Sequence, residues 1–381
     1  MKFSTRQIHS GVTPDPVTGS ILTPIYQTTA YVQDSVDEYL SKGYSYSRSG
    51  NPTVRALEIK LADLERGEDC TCYATGMAAI NSIMFAFLSA GEHAIISDVA
   101  YGGTYRLATK IFSRFGVDFS FVDTARPELV RDALRENTRL ILTETPANPT
   151  LKLSDIGAIS DIARENAVVH AVDNTFLTPY YQRPLELGAD LVVHSTTKYI
   201  DGHNATVGGA VIAATREHDD ALRFVQNASG VIMSPQVAWL TMQGCKTLSV
   251  RMDQQTANAM AIAEFLDAHP QVEQVLYPGL ESFPQHELAR RQATGYGAML
   301  SFELAGGLAA GKRLMDNLEL WALAESLGSV ESLVTHPASM THGDVEPAER
   351  ERVGISDGLV RLSVGLEDGE ELVEALRAAL A

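Results

Sequence analysis

Two stretches decide how this chain folds, VVHAVDN (168–174) and ADLVVHSTTKY (189–199). Each is a short, apolar, β-branched run that ends in polar residues: Asp173 in the first, and Ser195, Thr197 and Lys198 in the second. Runs this short and this continuously apolar are strands buried on both faces, the habit of a parallel sheet. Their neighbours repeat the pattern. GMAAINSIMFAFLSAGE (76–92) reads as a helix, HAIISDVAY (93–101) as a strand and GGTYRLATKIFSRFG (102–116) as a helix. DFSFVD (118–123) and RLILTE (139–144) are strands flanking the helix PELVRDALRE (127–136), DIGAISDIARENA (155–167) is a helix, and GGAVIAA (208–214) closes the series. Buried strands alternating with amphipathic helices predict an α/β fold, with a mostly parallel central sheet covered by helices on both faces. Ligands of such sheets bind outside the carboxyl ends of the strands. Tyr101, Asn148, Asp173 and Ser195 through Lys198 all fall there.

Further from that centre, PTVRALEIKLADLERGE (52–68) has Pro52 in a first turn, Val54, Leu57, Leu61 and Leu64 at helical spacing, and Gly67 as its stop. Residues 1–50, rich in Ser, Thr, Tyr, Gly and Pro without sustained period, predict an extended arm. Beyond about residue 235 the pattern changes to long helical stretches, SPQVAWLTMQGCKTLSVRMDQQTANAMAIAEFLDAHP (234–270). The strands GAMLSFEL (297–304) and LVRLSVGL (359–366) and the amphipathic helix GEELVEALRAAL (369–380) follow. The expected organisation is an arm over 1–50, a large domain over 51–235 and a smaller α/β domain over 236–381, since 381 residues exceed a single core.

A formal charge of -18 argues against nucleic acid or an anionic membrane as partner, because either would repel the surface. Three cysteines, Cys70, Cys72 and Cys245, make no disulfide framework and suit a reducing compartment, so the cytoplasm is expected. Cys70 and Cys72 lack further ligands at zinc spacing, and His286-Glu287 and His336 through His342 do not form H-E-x-x-H, so no metal is expected. MKFSTRQIHSGV has no apolar core of a signal peptide, and no run reaches the ~20 apolar residues of a membrane span. Neither a P-loop nor a G-x-G-x-x-G turn occurs, which leaves nucleotide binding by those devices unsupported.

An acid ending one buried strand and a lysine beside hydroxyls ending the next are parts of a pyridoxal 5'-phosphate site. Such a site needs a lysine to bond the cofactor, an acid at its ring nitrogen, a phosphate cup, a ring stack and an anchor for the substrate carboxylate. Lys198, Asp173, and Ser195 with Thr197 supply the first three. Thr75-Gly76-Met77-Ala78 opens a helix whose N–H groups suit a phosphate, and Tyr46 and Arg48 in the arm offer a hydroxyl and a guanidinium. Taken singly each has a plainer reading: Asp173 as a turn or cap residue, Gly76 as a packing glycine, Arg48 as part of a solvated turn. Their joint occurrence at the expected strand ends favours the cofactor.

The motifs YSRSGNPT (46–53), TGMAA (75–79), DVAYGGTYR (98–106), ETPANPT (144–150), VDNTFLTPYYQRPLELGADLVVHSTTKY (172–199), YPGL (277–280) with HELARRQ (286–292), LAESLG (323–328) with HPASMTH (336–342), and GISDGLVRLSVGLED (354–368) occur in order. Together they resemble the Cys/Met-metabolism family of pyridoxal-phosphate enzymes, which includes cystathionine γ-synthases, γ-lyases and β-lyases, methionine γ-lyases and homoserine-ester sulfhydrylases. The resemblance implies the type I, aspartate-aminotransferase-like fold and a homotetramer built as a dimer of dimers. It implies Lys198 as the Schiff-base lysine, Asp173 at the ring nitrogen, and Tyr101 as ring stacker and catalytic partner. Gly76, Met77, Ser195 and Thr197 would hold the phosphate, with Tyr46 and Arg48 from the neighbouring subunit. Asn148, Ser326 and Arg361 would bind the α-carboxylate of a small amino-acid substrate, and Arg106 would face its distal end.

Within the family, Glu325 matches the acid that γ-synthases and γ-lyases set near a distal amino group, and Gly103 replaces the cysteine of methionine γ-lyases. Ser45 stands where an acid is usual, GHNATVGG (202–209) resembles the sulfhydrylase version, and HPASMTH is close to that of methionine γ-lyases. The reading is a carbon–sulfur lyase of the cystathionine γ-lyase type. A γ-synthase, a methionine γ-lyase, a sulfhydrylase, a β-lyase or a cofactor-binding paralogue without turnover are the alternatives.

Overall fold

The structure, a computed structural model, describes residues 1–341, 343 and 347–381. His342, the last residue of HPASMTH, lies outside the described residues. Among the described residues the strands form two sheets. The larger contains β1 (Asp69–Tyr73), β2 (His93–Ser97), β3 (Asp118–Val122), β4 (Thr138–Glu144), β5 (Val169–Asp173), β6 (Leu191–His194) and β7 (Gly209–Ala213), in the order β1-β7-β6-β5-β4-β2-β3. Pairings from β3 to β6 are parallel, whereas β7 runs antiparallel to both β6 and β1. The smaller sheet joins β8 (Val272–Leu276), β9 (Met299–Leu304), β10 (Ala322–Leu323), β11 (Leu333–Thr335) and β12 (Leu359–Ser363) in the order β10-β11-β12-β9-β8.

Side chains alternate across a strand, so each parallel strand feeds two cores. On one face Leu140, Leu142, Ala171, Leu191 and Val193 pack against Ile80, Ile83 and Met84 of the helix Gly76–Phe87. Through β1, β6 and β7 the other face meets Leu57, Leu61 and Leu64 of the helix Pro52–Glu65. Each such leucine, removed from water, contributes about 2–3 kcal/mol. This two-faced burial is why the strands are apolar throughout. The smaller sheet packs on the helices Leu248–Asp267 and Gly369–Leu380 through Met252, Ile262, Phe302, Val360, Leu372 and Leu376.

Several local features differ from the sequence reading. The N-terminus is not extended throughout: Phe3–His9 is helical, held by reciprocal Gln7–Ser249 hydrogen bonds and by the buried Lys60 ammonium donating to the Gln7 carbonyl. At the end of the helix Pro52–Glu65 it is Arg66, at φ 65°, that takes the left-handed cap. Gly67 serves packing instead, since a Cβ there would stand 2.2 Å from an Ile212 methyl. The segment 102–116 is broken into α (Gly102–Arg106), π (Leu107–Ile111) and 3-10 (Phe112–Phe115) turns. PELVRDALRE ends its helix at Asp132, and the Thr138 hydroxyl accepts the Arg135 N–H as the chain turns into β4. The long stretch after residue 234 is two helices, Pro235–Cys245 and Leu248–Asp267.

Candidate active site

Alternation along the parallel strands determines what stands at their carboxyl ends. Leu140 and Leu142, Ala171, and Leu191 and Val193 face the helix Gly76–Phe87, so Glu144, Asp173 and Ser195, two residues further on, face the same way. The N-terminus of that helix points at them. Between these ends and β12 of the smaller sheet lies a cavity of about 740 Å³. Its lining includes Gly76, Met77, Tyr101, Arg106, Glu144, Asn148, Asp173, Ser195, Thr197, Lys198, Glu325, Ser326 and Arg361.

Thr75 caps the helix, its hydroxyl accepting the Ala78 N–H at 2.8 Å and its carbonyl the Ala79 N–H at 3.1 Å. The first-turn N–H groups of Gly76 and Met77 are left over and face outward, where an anion is favoured. A Cβ on Gly76 would lie 3.0 Å from the Ser195 Cβ, so a larger residue would press on the turn that carries Ser195. The Ser195 N–H donates to the Thr175 hydroxyl at 3.0 Å, fixing the turn after β6. The Thr197 hydroxyl lines the cavity but is engaged with Gly208, donating to its carbonyl at 3.2 Å and accepting its N–H at 3.0 Å.

Asp173 serves its own turn, one oxygen accepting the Thr175 N–H at 3.0 Å. Burial raises its pKa, so a cation facing the carboxylate would relieve a real cost. Behind the strand ends, Glu65 accepts from Asn174 at 3.0 Å and pairs with His194 at 2.6 Å, a fully buried knot that fixes β5 and β6 on the helix Pro52–Glu65. The Lys198 ammonium donates to the Ser326 hydroxyl at 3.1 Å. Burial, with Arg361 adding repulsion, lowers the lysine to about 8.

Arg361 reaches the cavity from β12. Its Nη1 donates to Asn148 Oδ1 at 2.8 Å and its Nη2 to the Ser326 carbonyl at 2.9 Å and the Thr335 hydroxyl at 3.0 Å. Its Nε is buried without a partner, and burial lowers its pKa to about 10. An anion is what such a guanidinium lacks. A leftover pair of N–H groups, a glycine cradle, a buried carboxylate and a desolvated amine fit the phosphate, ring nitrogen and aldehyde carbon of pyridoxal phosphate.

Ser45, Tyr46 and Arg48, the last two expected at a neighbouring subunit's site, do not line this cavity. Ser45 accepts the Tyr31 N–H through its carbonyl, Tyr46 bridges to Ala30, and the Arg48 Nε donates to Asn227 at 3.1 Å. Glu144 and Thr175 are the residues that sequence reasoning missed. Glu144 carries the signal that exposed Asp173, an acid ending a buried strand, and was passed over inside ETPANPT.

Residues 4–381 match the family model described as Cys/Met metabolism PLP-dependent enzyme. The chain is 47% identical over 380 residues to the cystathionine gamma-lyase of Bacillus subtilis, covering 100% of this chain and 99% of that one. It is 46% identical to the L-methionine gamma-lyase of Fusobacterium nucleatum subsp. polymorphum, covering 99% and 98%. The crystal structure of cystathionine gamma-lyase from Lactobacillus plantarum complexed with L-serine superposes with a TM-score of 0.96 at 41% identity, covering 100% and 98%.

Proposed function

Because the chain belongs to the family of Cys/Met metabolism PLP-dependent enzymes, we propose that it is of the cystathionine γ-lyase type, converting L-cystathionine and water to L-cysteine, 2-oxobutyrate and ammonia. The observation that carries this reading is the set of charged groups lining one cavity. Arg361, with its unpartnered Nε, stands with Asn148 and Ser326 as an anchor for an α-carboxylate. Glu325 and Arg106 line the same cavity, a carboxylate and a guanidinium that would complement the distal ammonium and carboxylate of cystathionine. Methionine would meet them with an uncharged methyl group.

Pyridoxal phosphate would be held with Asp173 at its ring nitrogen, Tyr101 against its ring plane, and Gly76, Met77, Ser195 and Thr197 at its phosphate. When bound, pyridoxal phosphate supplies an electron sink that acidifies the substrate Cα–H and then its Cβ–H, so that sulfur on Cγ can depart. Lys198 Nζ, oriented by the Ser326 hydroxyl, takes the proton from Cα and returns protons to the carbon skeleton. Tyr101 Oη donates a proton to the sulfur as the Cγ–S bond breaks. A neutral amine is needed at the start, and Lys198 titrates at about 8 in the chain without cofactor. Capture of pyridoxal phosphate by apoenzyme should therefore quicken about tenfold from pH 7 to pH 9, followed by stopped-flow absorbance; a flat rate would contradict this role.

Tyr46, Arg48 and Ser45 act, in this reading, at a neighbouring subunit's cavity within a homotetramer. Support comes from the apolar Val17, Ile21, Val32 and Val36 of the same arm, all 80% or more exposed in the single chain. The arm over 1–50, a cofactor domain over 51–235 and a C-terminal domain over 236–381 are the proposed units. Cys70, Cys72 and Cys245 are free thiols, which supports a cytoplasmic location. Among the described residues no helix is long and apolar enough to cross a membrane.

Product analysis tests the reaction. L-Cystathionine should yield cysteine and 2-oxobutyrate; homocysteine and pyruvate would make the chain a β-lyase, and turnover only with an activated homoserine would make it a synthase. Glu325→Ala should raise KM for cystathionine about fivefold and leave that for methionine unchanged, as loss of one exposed ion pair does. Equal effects on both substrates would remove Glu325 from the distal contact.

A further inference from the structure

The cavity holds a second carboxylate that the chemistry above leaves unused. Glu144 ends β4 as Asp173 ends β5, and the two are direct partners in the parallel register of these strands. Both line the cavity. Glu144 Oε2 accepts the Tyr101 N–H at 2.8 Å, and Oε1 accepts the Asn148 N–H at 2.9 Å. Its own N–H donates to the Ser97 hydroxyl at 3.3 Å, tying the end of β4 to the end of β2. One side chain thus joins, by hydrogen bonds from both, the loop after β2, carrying Tyr101, and the loop after β4, carrying Asn148, which also pack together through Val99 and Ala147.

Asn148 in turn accepts from Arg361 at 2.8 Å, so the bridge continues to the carboxylate anchor on the smaller sheet. Resting on the reading of this cavity as the pyridoxal-phosphate site, we propose that Glu144 is a positioning residue that sets Tyr101 in register with the Asn148–Arg361 anchor. Substrate held by Arg361 then meets the stacking ring at a fixed offset. The arrangement is costly to maintain. Burial, and then the Asp173 charge, push Glu144 up to about 8, against the two N–H bonds that lower it. A site that only needed its loops closed would gain by an uncharged residue beside Asp173; two N–H groups converging from different loops need two acceptor oxygens on one side chain.

Glu144→Gln keeps the volume and one acceptor but turns an amide NH₂ towards the other N–H. In the holoenzyme the expected result is retained cofactor, a kcat for cystathionine lowered by about tenfold to a hundredfold, a severalfold higher KM, and a changed visible circular dichroism of the bound cofactor. Glu144→Asp, with both oxygens one methylene short, should recover part of each and is the variant to judge by if the first does not fold. Wild-type kcat, KM and dichroism in these variants, or a lowered Tm with all three unchanged, would overturn the inference. Lys198→Ala, run alongside, separates the two ideas. If it is dead while Glu144→Gln behaves as wild type, only the positioning role fails; if it still turns over, the reading of the cavity fails.

Discussion

Lys198→Ala is expected to lower kcat by about 10³-fold or more while leaving the chain folded. Among the described residues lining the cavity it is the only lysine. Its surroundings make it an unusual one: burial and the nearby Arg361 bring it to about 8, so an amine ordinarily charged at neutral pH is poised to lose its proton. The Ser326 hydroxyl at 3.1 Å holds it on the side of the cavity where the α-carboxylate anchor stands. Removing it leaves no group within that geometry to take the Cα proton. Steady-state kinetics on cystathionine check the loss, and thermal unfolding checks the fold. A small amine added to the variant should restore part of the rate, which a packing defect would not allow. Full activity in the variant would exclude Lys198 from the chemistry.

Asp173→Asn is expected to lower kcat by about 10²- to 10³-fold with little change in KM. The substitution conserves volume, and an amide oxygen can still accept the Thr175 N–H that holds the turn. Only the charge is lost, and with it the preference for a protonated ring nitrogen. Stability should move differently from activity. Because the folded pKa of Asp173 is raised, the native state binds more protons than the unfolded chain across the interval between the two values. Stability therefore falls as pH rises through that interval, and the ionised group is a burden on the apoenzyme at neutral pH. The variant apoenzyme should melt no lower than wild type at pH 7, while its holoenzyme gains less from cofactor. A lower Tm for the variant apoenzyme, with kcat unchanged, would make Asp173 a structural turn residue.

How much of this was legible follows from where each signal resides. β5 and β6 show plainly in VVHAVD and DLVVH because strands buried on both faces must be apolar throughout, and a polar residue at their ends stands out. β9, β12 and the last helix are visible for similar reasons of local pattern. The antiparallel return of β7 leaves no trace in GGAVIAA, since direction depends on which neighbours it joins. Phe3–His9 is too short to hold as a helix without the Gln7 and Lys60 contacts, which come from residues far along the chain. The approach of Arg361 to Asn148 spans 213 residues and depends on packing one sheet against the other. No spacing rule contains it. Glu144 was hidden differently: its acid was conspicuous, but its two acceptor contacts exist only once the loops after β2 and β4 have converged.

The central claim, that this cavity holds pyridoxal phosphate through Lys198, is tested most directly by reducing the purified holoenzyme with borohydride, digesting it and locating the pyridoxyl group by peptide mass. A single labelled peptide with the group on Lys198 is the predicted result. A label on any other lysine, or none on a protein that still turns over cystathionine, would contradict the account.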